Sequence, residues 1–77
     1  MKNFTDHSTT LQSALRHFLY MAALAPARRD QDAQELHQIL QKAEAALANP
    51  EAAADPGYAQ LLVDVGVTKQ ELQRYSV

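Results

Sequence analysis

The stretch from Arg28 to Leu47 carries apolar residues at alternating spacings of three and four positions. Such spacings place side chains on one face of an α-helix, so they predict a seam that packs against a partner helix. Glutamine, glutamate, alanine and leucine dominate the stretch, and all four residue types favour helix. We therefore predict a helix over residues 28–48, with a seam formed by Ala33, Leu36, Leu40, Ala43 and Leu47.

A preceding helix is predicted over residues 9–25. Thr9 followed by Gln12 fits a capping box, and Pro26 disfavours helical backbone in the residue before it. The polar residues 1–8 are predicted to form a flexible N-terminal arm. Because the connection between the two predicted helices is short, we expect them to form a long antiparallel hairpin.

The C-terminal third contains signals for two short helices. Asp55-Pro56 resembles a helix start, and Gly66 is placed to close that helix in a left-handed conformation. Thr68 and Glu71 form a second capping-box pattern. We therefore predict helices over residues 56–65 and 69–75, and an all-α fold in which residues 9–77 form a single small domain.

The second half of the first predicted helix is apolar almost all the way round, from Phe18 to Ala25. One partner helix cannot cover such a surface, so a second contact is required. Two interpretations remain open: the C-terminal helices close this surface as core, or part of it docks another molecule. For docking, we predict that the contact residues are Phe18, Tyr20, Met21 and Leu24, while Leu36, Leu40 and Leu47 hold the hairpin together.

Length and composition favour association with another chain. A domain of 77 residues buries only about 60% of its unfolded surface. The sequence has no cysteine, which excludes a disulfide or thiolate zinc as the stabilising element. We therefore expect a homodimer, and we expect the protein to be cytoplasmic.

Charge and the length of the apolar runs predict neither a general affinity for nucleic acid nor a membrane partner. The net charge is −2, with basic and acidic residues mixed along the chain. The longest apolar run has eight residues, whereas a membrane-spanning helix needs about 20. A protein partner is the stronger expectation.

Residues suited to catalysis or metal binding do not form a recognisable pattern. The best metal candidates are His17, His37 and Glu44, but no close pair of ligands on one helix supports them. The serines lack a surrounding nucleophile motif, and there is no glycine-rich phosphate loop. We predict no enzymatic activity, no metal and no cofactor.

An alternative function comes from the C-terminal stretch, which resembles a helix-turn-helix around Gly66. Its second helix offers side chains suited to phosphate and base-edge contacts: Lys69, Gln70, Gln73 and Arg74. Leu62 is larger than the small residue usual for close helix approach, and Asp64 and Glu71 place negative charge beside the site. Nucleic-acid binding is therefore the alternative to a small regulator or adaptor that binds a partner protein through an apolar helix face.

The segment Asp64-Val65-Gly66-Val67-Thr68-Lys69, with Glu71 and Leu72, is similar to the ending of the YjiS-like family of small bacterial proteins. That resemblance implies a regulatory role involving RNA. Members are typically rich in arginine and tryptophan upstream, whereas this chain has no tryptophan and one basic pair, Arg28-Arg29. We do not assign the chain to the family.

Overall fold

The computed structural model describes residues 4–75, which form three α-helices and contain no strand. An all-α fold is thus confirmed. The α-helices are α1 (Phe4–Leu24), α2 (Arg29–Leu47) and α3 (Tyr58–Tyr75). Two short 3₁₀ helices, Pro26–Arg28 and Ala52–Ala54, lie in the connections.

Helix α1 begins at Phe4, earlier than the predicted start at Thr9. Residues 4–8, which were predicted to belong to an arm, are therefore helical, and residues 1–3 lie outside the described part of the chain. Phe4 packs against the core, and a Cβ atom at Gly57 would lie 3.0 Å from the Phe4 Cβ atom. Glycine at position 57 thus lets the start of α3 approach the first turn of α1.

Helix α2 lies one residue inside the predicted range at each end. Its predicted seam faces the core: Leu36, Leu40 and Ala43 are buried, and Ala33 and Leu47 pack partly buried against them. The regular spacing of these residues, together with a composition that favours helix, accounts for the agreement.

The prediction of two short C-terminal helices is wrong, because residues 58–75 form one continuous helix. Gly66 lies inside α3, and among the described residues no glycine has a positive φ angle. Thr68 does not cap a new helix either. Its hydroxyl donates a hydrogen bond of 2.7 Å to the carbonyl oxygen of Asp64, one turn earlier.

Helix α3 is continuous because one face of it is buried along its whole length. Leu61, Val65 and Thr68 are buried, and Leu72 packs against the core in the next turn. Glycine in a helix interior costs about 1 kcal/mol, whereas burying a large apolar side chain gains roughly 1.5–3 kcal/mol. Tertiary packing therefore outweighs the local signals for a break at Gly66.

All three helices contribute to one core, with Leu11 and Phe18 from α1, Leu36 and Leu40 from α2, and Leu61 from α3. The connection before α3 is held by Asp55, whose side-chain oxygen accepts a hydrogen bond of 2.8 Å from the Gly57 backbone N–H. None of the helices within residues 4–75 combines the length and the apolar character that crossing a membrane requires.

Candidate interaction surface

Tyr20 and Leu24 form an exposed apolar patch on the last two turns of α1. Their side chains are 64% and 62% exposed, and a separation of four residues places them on the same helix face. We call this pair the Tyr20–Leu24 patch. Both residues belong to the predicted contact set, so half of that set lies where a partner has access to it.

The other two predicted contact residues are less accessible. Phe18 is 1% exposed and belongs to the core, so it is not an accessible contact residue. Its ring meets the Tyr75 ring edge to face, with centroids 5.4 Å apart and an angle of 86° between the planes. Met21 is half-buried. The C-terminal end of α3 therefore covers one side of the apolar end of α1 and leaves the Tyr20–Leu24 patch uncovered.

Arg29 fixes the position of Tyr75 at this end of the molecule. Its guanidinium lies 5.1 Å from the centroid of the Tyr75 ring, within range of a cation–π interaction. The same guanidinium donates a hydrogen bond of 3.1 Å to the carbonyl oxygen of Ala22, near the end of α1. Arg29 thus links the ends of α1 and α3 at the start of α2.

A groove of about 320 Å³ runs between α1 and α3. We call it the α1–α3 groove. Leu15 and Leu19 line it from α1, and Val67 lines it from α3. Arg16 and Asp64 contribute one charged side chain to each wall. The groove is therefore apolar along its middle and carries opposite charges on its two sides.

Neither of these charges is neutralised within the described residues. The two Asp64 carboxylate oxygens accept hydrogen bonds of 3.0 Å from Gln12 and 3.1 Å from Gln60, and both donors are neutral amides. Arg16 is exposed, and within residues 4–75 no carboxylate lies at ion-pair distance from it. The two walls thus keep a positive and a negative charge available to another molecule.

Helix α3 carries an apolar ridge that includes Val67 of the groove wall. Val63 and Val67 are 58% and 43% exposed, and they lie one turn apart on the same face. Val63 and Val67 are not among the predicted contact residues, because a helix end at Gly66 would place them in separate segments. The signal for a single helix was the spacing of Leu61, Val65, Thr68 and Leu72, which leaves Val63 and Val67 facing outward.

The predicted nucleic-acid residues lie on the last turns of α3, and the helix-turn-helix predicted around them is absent. Lys69 pairs with Glu44 at 3.2 Å, and Arg74 pairs with Glu71 at 3.6 Å. Gln70 and Gln73 are exposed. Each basic side chain thus already has a carboxylate partner with which a phosphate would compete.

A second cavity, of about 290 Å³, lies between α1 and α2 beside Asp32 and His17. Asp32 is buried, and its Oδ2 atom has no hydrogen-bond partner among residues 4–75. The Arg28 guanidinium approaches the other carboxylate oxygen at 4.0 Å. Burial of this carboxylate depends on the packing of α1 against α2, so the sequence alone does not predict it.

The metal candidates do not come together. Glu44 is engaged by Lys69, and a His37 ring nitrogen lies 3.2 Å from the Gln41 amide nitrogen. Within residues 4–75, no three potential ligands of the histidine, aspartate and glutamate type are grouped around a common point.

Comparison of the chain with protein-family models, with curated proteins and with solved structures finds no significant match. The short resemblance of residues 64–72 to the YjiS-like family gains no support from these comparisons. The observations that bear on function are therefore the exposed apolar surfaces and the charges beside them.

Proposed function

We propose that this protein is a small interaction module, a regulator or adaptor that binds the surface of a partner protein through the Tyr20–Leu24 patch. Apart from this partner, we expect the chain to associate with a second copy of itself. The observation that carries the proposal is the exposure of a large aromatic and a large aliphatic side chain on one helix face.

The chemistry of these two side chains supports a protein partner. Tyrosine offers a large apolar ring together with a hydroxyl that can remain hydrated or form a hydrogen bond, and it is enriched at protein interfaces. Leu24 extends the apolar area by one helical turn. The Phe18–Tyr75 and Arg29–Tyr75 contacts behind the patch favour a rigid surface, which lowers the entropy lost on binding.

We also propose that α1 and α2 form the predicted antiparallel hairpin and that this hairpin is the scaffold of the patch. The order of contacts supports this arrangement. His7 and Thr10, early in α1, share a cavity with Ile39 and Lys42 in the second half of α2. Ala22, near the end of α1, accepts a hydrogen bond from Arg29 at the start of α2.

The proposal is tested by comparing the proteins that the immobilised full chain retains from an extract with those retained by a Tyr20→Ser/Leu24→Ser variant. A Gln34→Ser/Gln38→Ser variant is the matched control, since both glutamines are exposed and lie four residues apart on α2. We expect at least one protein to be retained by the original chain and the control but lost from the patch variant.

Direct titration of that protein, once purified, should reproduce the difference. Equal retention by the original chain and the patch variant would contradict the proposal, provided that circular dichroism shows both to be equally helical.

Nucleic-acid binding through Lys69, Gln70, Gln73 and Arg74 stays the alternative prediction, now without the helix-turn-helix that suggested it. The cytoplasmic location likewise remains a prediction. No observation in the described residues favours the alternative over a protein partner.

A further inference from the structure

The charges beside the α1–α3 groove are arranged so that the surface is complementary to itself. Arg16 lies on the α1 wall and Asp64 on the α3 wall, and neither has a partner of opposite charge within residues 4–75. A two-fold axis through the groove between these residues exchanges their positions. In a symmetric pair of chains, each arginine then faces the aspartate of the other copy.

The shape of the surface is also suited to pairing with itself. Val63 and Val67 form an exposed ridge on α3, and Val67 is also part of the wall of the groove that Leu15 and Leu19 line from α1. A surface that presents both a ridge and an adjacent groove can interdigitate with its own copy, as helices do when the ridges of one pack into the grooves of another.

We propose that the α1–α3 groove is an isologous homodimer interface, in which the Arg16 side chain of each copy pairs with the Asp64 carboxylate of the other. The apolar contact between the two ion pairs is made by Leu15, Leu19, Val63 and Val67. This inference rests on the proposed role as an interaction module; it names a second copy as the partner and assigns that copy a face separate from the Tyr20–Leu24 patch.

The balance of charge favours a second copy over a foreign partner. One positive and one negative side chain give the groove no net charge, so a strongly acidic or strongly basic partner gains little there. A second copy satisfies both charges at once and leaves none unpaired in the interface. The proposed contact uses few side chains from each copy compared with a standard interface, so we expect a dimer with a dissociation constant on the order of micromolar.

Charge reversal tests the pairing directly. Arg16→Asp places two carboxylates opposite each other at both ends of the interface, and Asp64→Arg places two guanidinium groups there. We expect each variant alone to dimerise at least about tenfold more weakly than the original chain. An equimolar mixture of the two variants should dimerise again, because every introduced charge then faces its opposite.

Sedimentation equilibrium of the pure full-length chain, over a range from low to high micromolar, measures these associations. A Lys42→Glu variant is the control, because Lys42 is an exposed basic residue on α2 outside the groove. We expect this control to dimerise like the original chain. The double variant Arg16→Asp/Asp64→Arg should also dimerise, which guards against a trivial loss of folding in either single variant.

Several outcomes would overturn the inference. They are a chain that stays monomeric at high micromolar concentration, single variants that dimerise like the original chain, and folded single variants whose mixture stays monomeric. None of these results affects the retention of a foreign protein by the Tyr20–Leu24 patch, so failure of the dimer is distinguishable from failure of the proposed function.

Discussion

The rings of Phe18 and Tyr75 meet edge to face, with their centroids 5.4 Å apart. This contact joins the second half of α1 to the last residue of α3. It determines which part of the apolar end of α1 is core and which part faces outward.

Tyr75→Ala should lower the free energy of unfolding by about 2 kcal/mol, because it removes a half-buried ring and its contacts with Phe18 and Arg29. Tyr20→Ala is a matched control, since the same ring is removed from an exposed position, and its effect should stay within about 0.5 kcal/mol. Urea denaturation at low protein concentration, where association does not contribute, measures both. Equal effects of the two substitutions would contradict the packing described for Tyr75.

Gly66→Ala should raise the free energy of unfolding by roughly 0.5–1 kcal/mol. The glycine lies inside α3, and an added Cβ atom would meet no other atom within 4 Å. Thermal and urea unfolding provide the measurement. Destabilisation instead would indicate a helix end at this position, as the sequence pattern suggested.

Gly57→Ala should lower the free energy of unfolding, in contrast to Gly66→Ala. An added Cβ atom would lie 3.0 Å from the Phe4 Cβ atom and 3.2 Å from the Thr5 backbone nitrogen, so α1 and α3 would have to move apart. We expect a loss of about 1–3 kcal/mol. A neutral result in the same unfolding experiment would show that the first turn of α1 does not pack here.

Leu40→Ala should cost about 3 kcal/mol, because Leu40 is buried in the core between the helices. Leu62→Ala removes the same atoms from an exposed position on α3 and should cost less than about 1 kcal/mol. Urea denaturation measures both effects: the midpoint concentration should fall much further for Leu40→Ala, while the dependence of the unfolding free energy on urea concentration stays the same. Similar losses for both leucines would be inconsistent with the assignment of the core.

Nucleic-acid binding by α3, the alternative function, should be weak, because a phosphate must compete with the glutamates already paired with Lys69 and Arg74. Mobility-shift titrations with duplex and single-stranded probes at low salt test this expectation. A shift that weakens as salt rises, and that Lys69→Ala/Arg74→Ala abolishes, would instead support the alternative function.

The helical segments could largely be predicted from the sequence, because helical periodicity is visible in residues that lie close together along the chain. The buried seam of Leu36, Leu40 and Ala43 follows directly from their spacing. A glycine followed by a capping pattern has the same local sequence whether a helix ends there or continues, so the sequence alone predicts a helix end at Gly66. The burial of Leu61, Val65 and Thr68 against the other helices decides between these cases, and it depends on residues distant in sequence.

The candidate site could be predicted only in part, because it also depends on contacts between residues distant in sequence. The apolar run in α1 indicated a surface that needs more than one neighbour, and Tyr20 and Leu24 are indeed exposed. Phe18 is covered by Tyr75, which is distant from it in the sequence, at the end of α3. The sequence does not show that Arg16 and Asp64 line the same groove, because this depends on the packing of α1 against α3.

The exposed glycine in the middle of α3 has a consequence for motion. Residues 67–75 are joined to the first half of the helix through its most flexible backbone position, so their amide hydrogens should exchange with solvent faster than those of residues 62–65, which follow the first turn. Transient opening of this last segment would release Tyr75 and expose the Phe18 ring. The molecule would thereby present, for short periods, a larger apolar face than its resting state does.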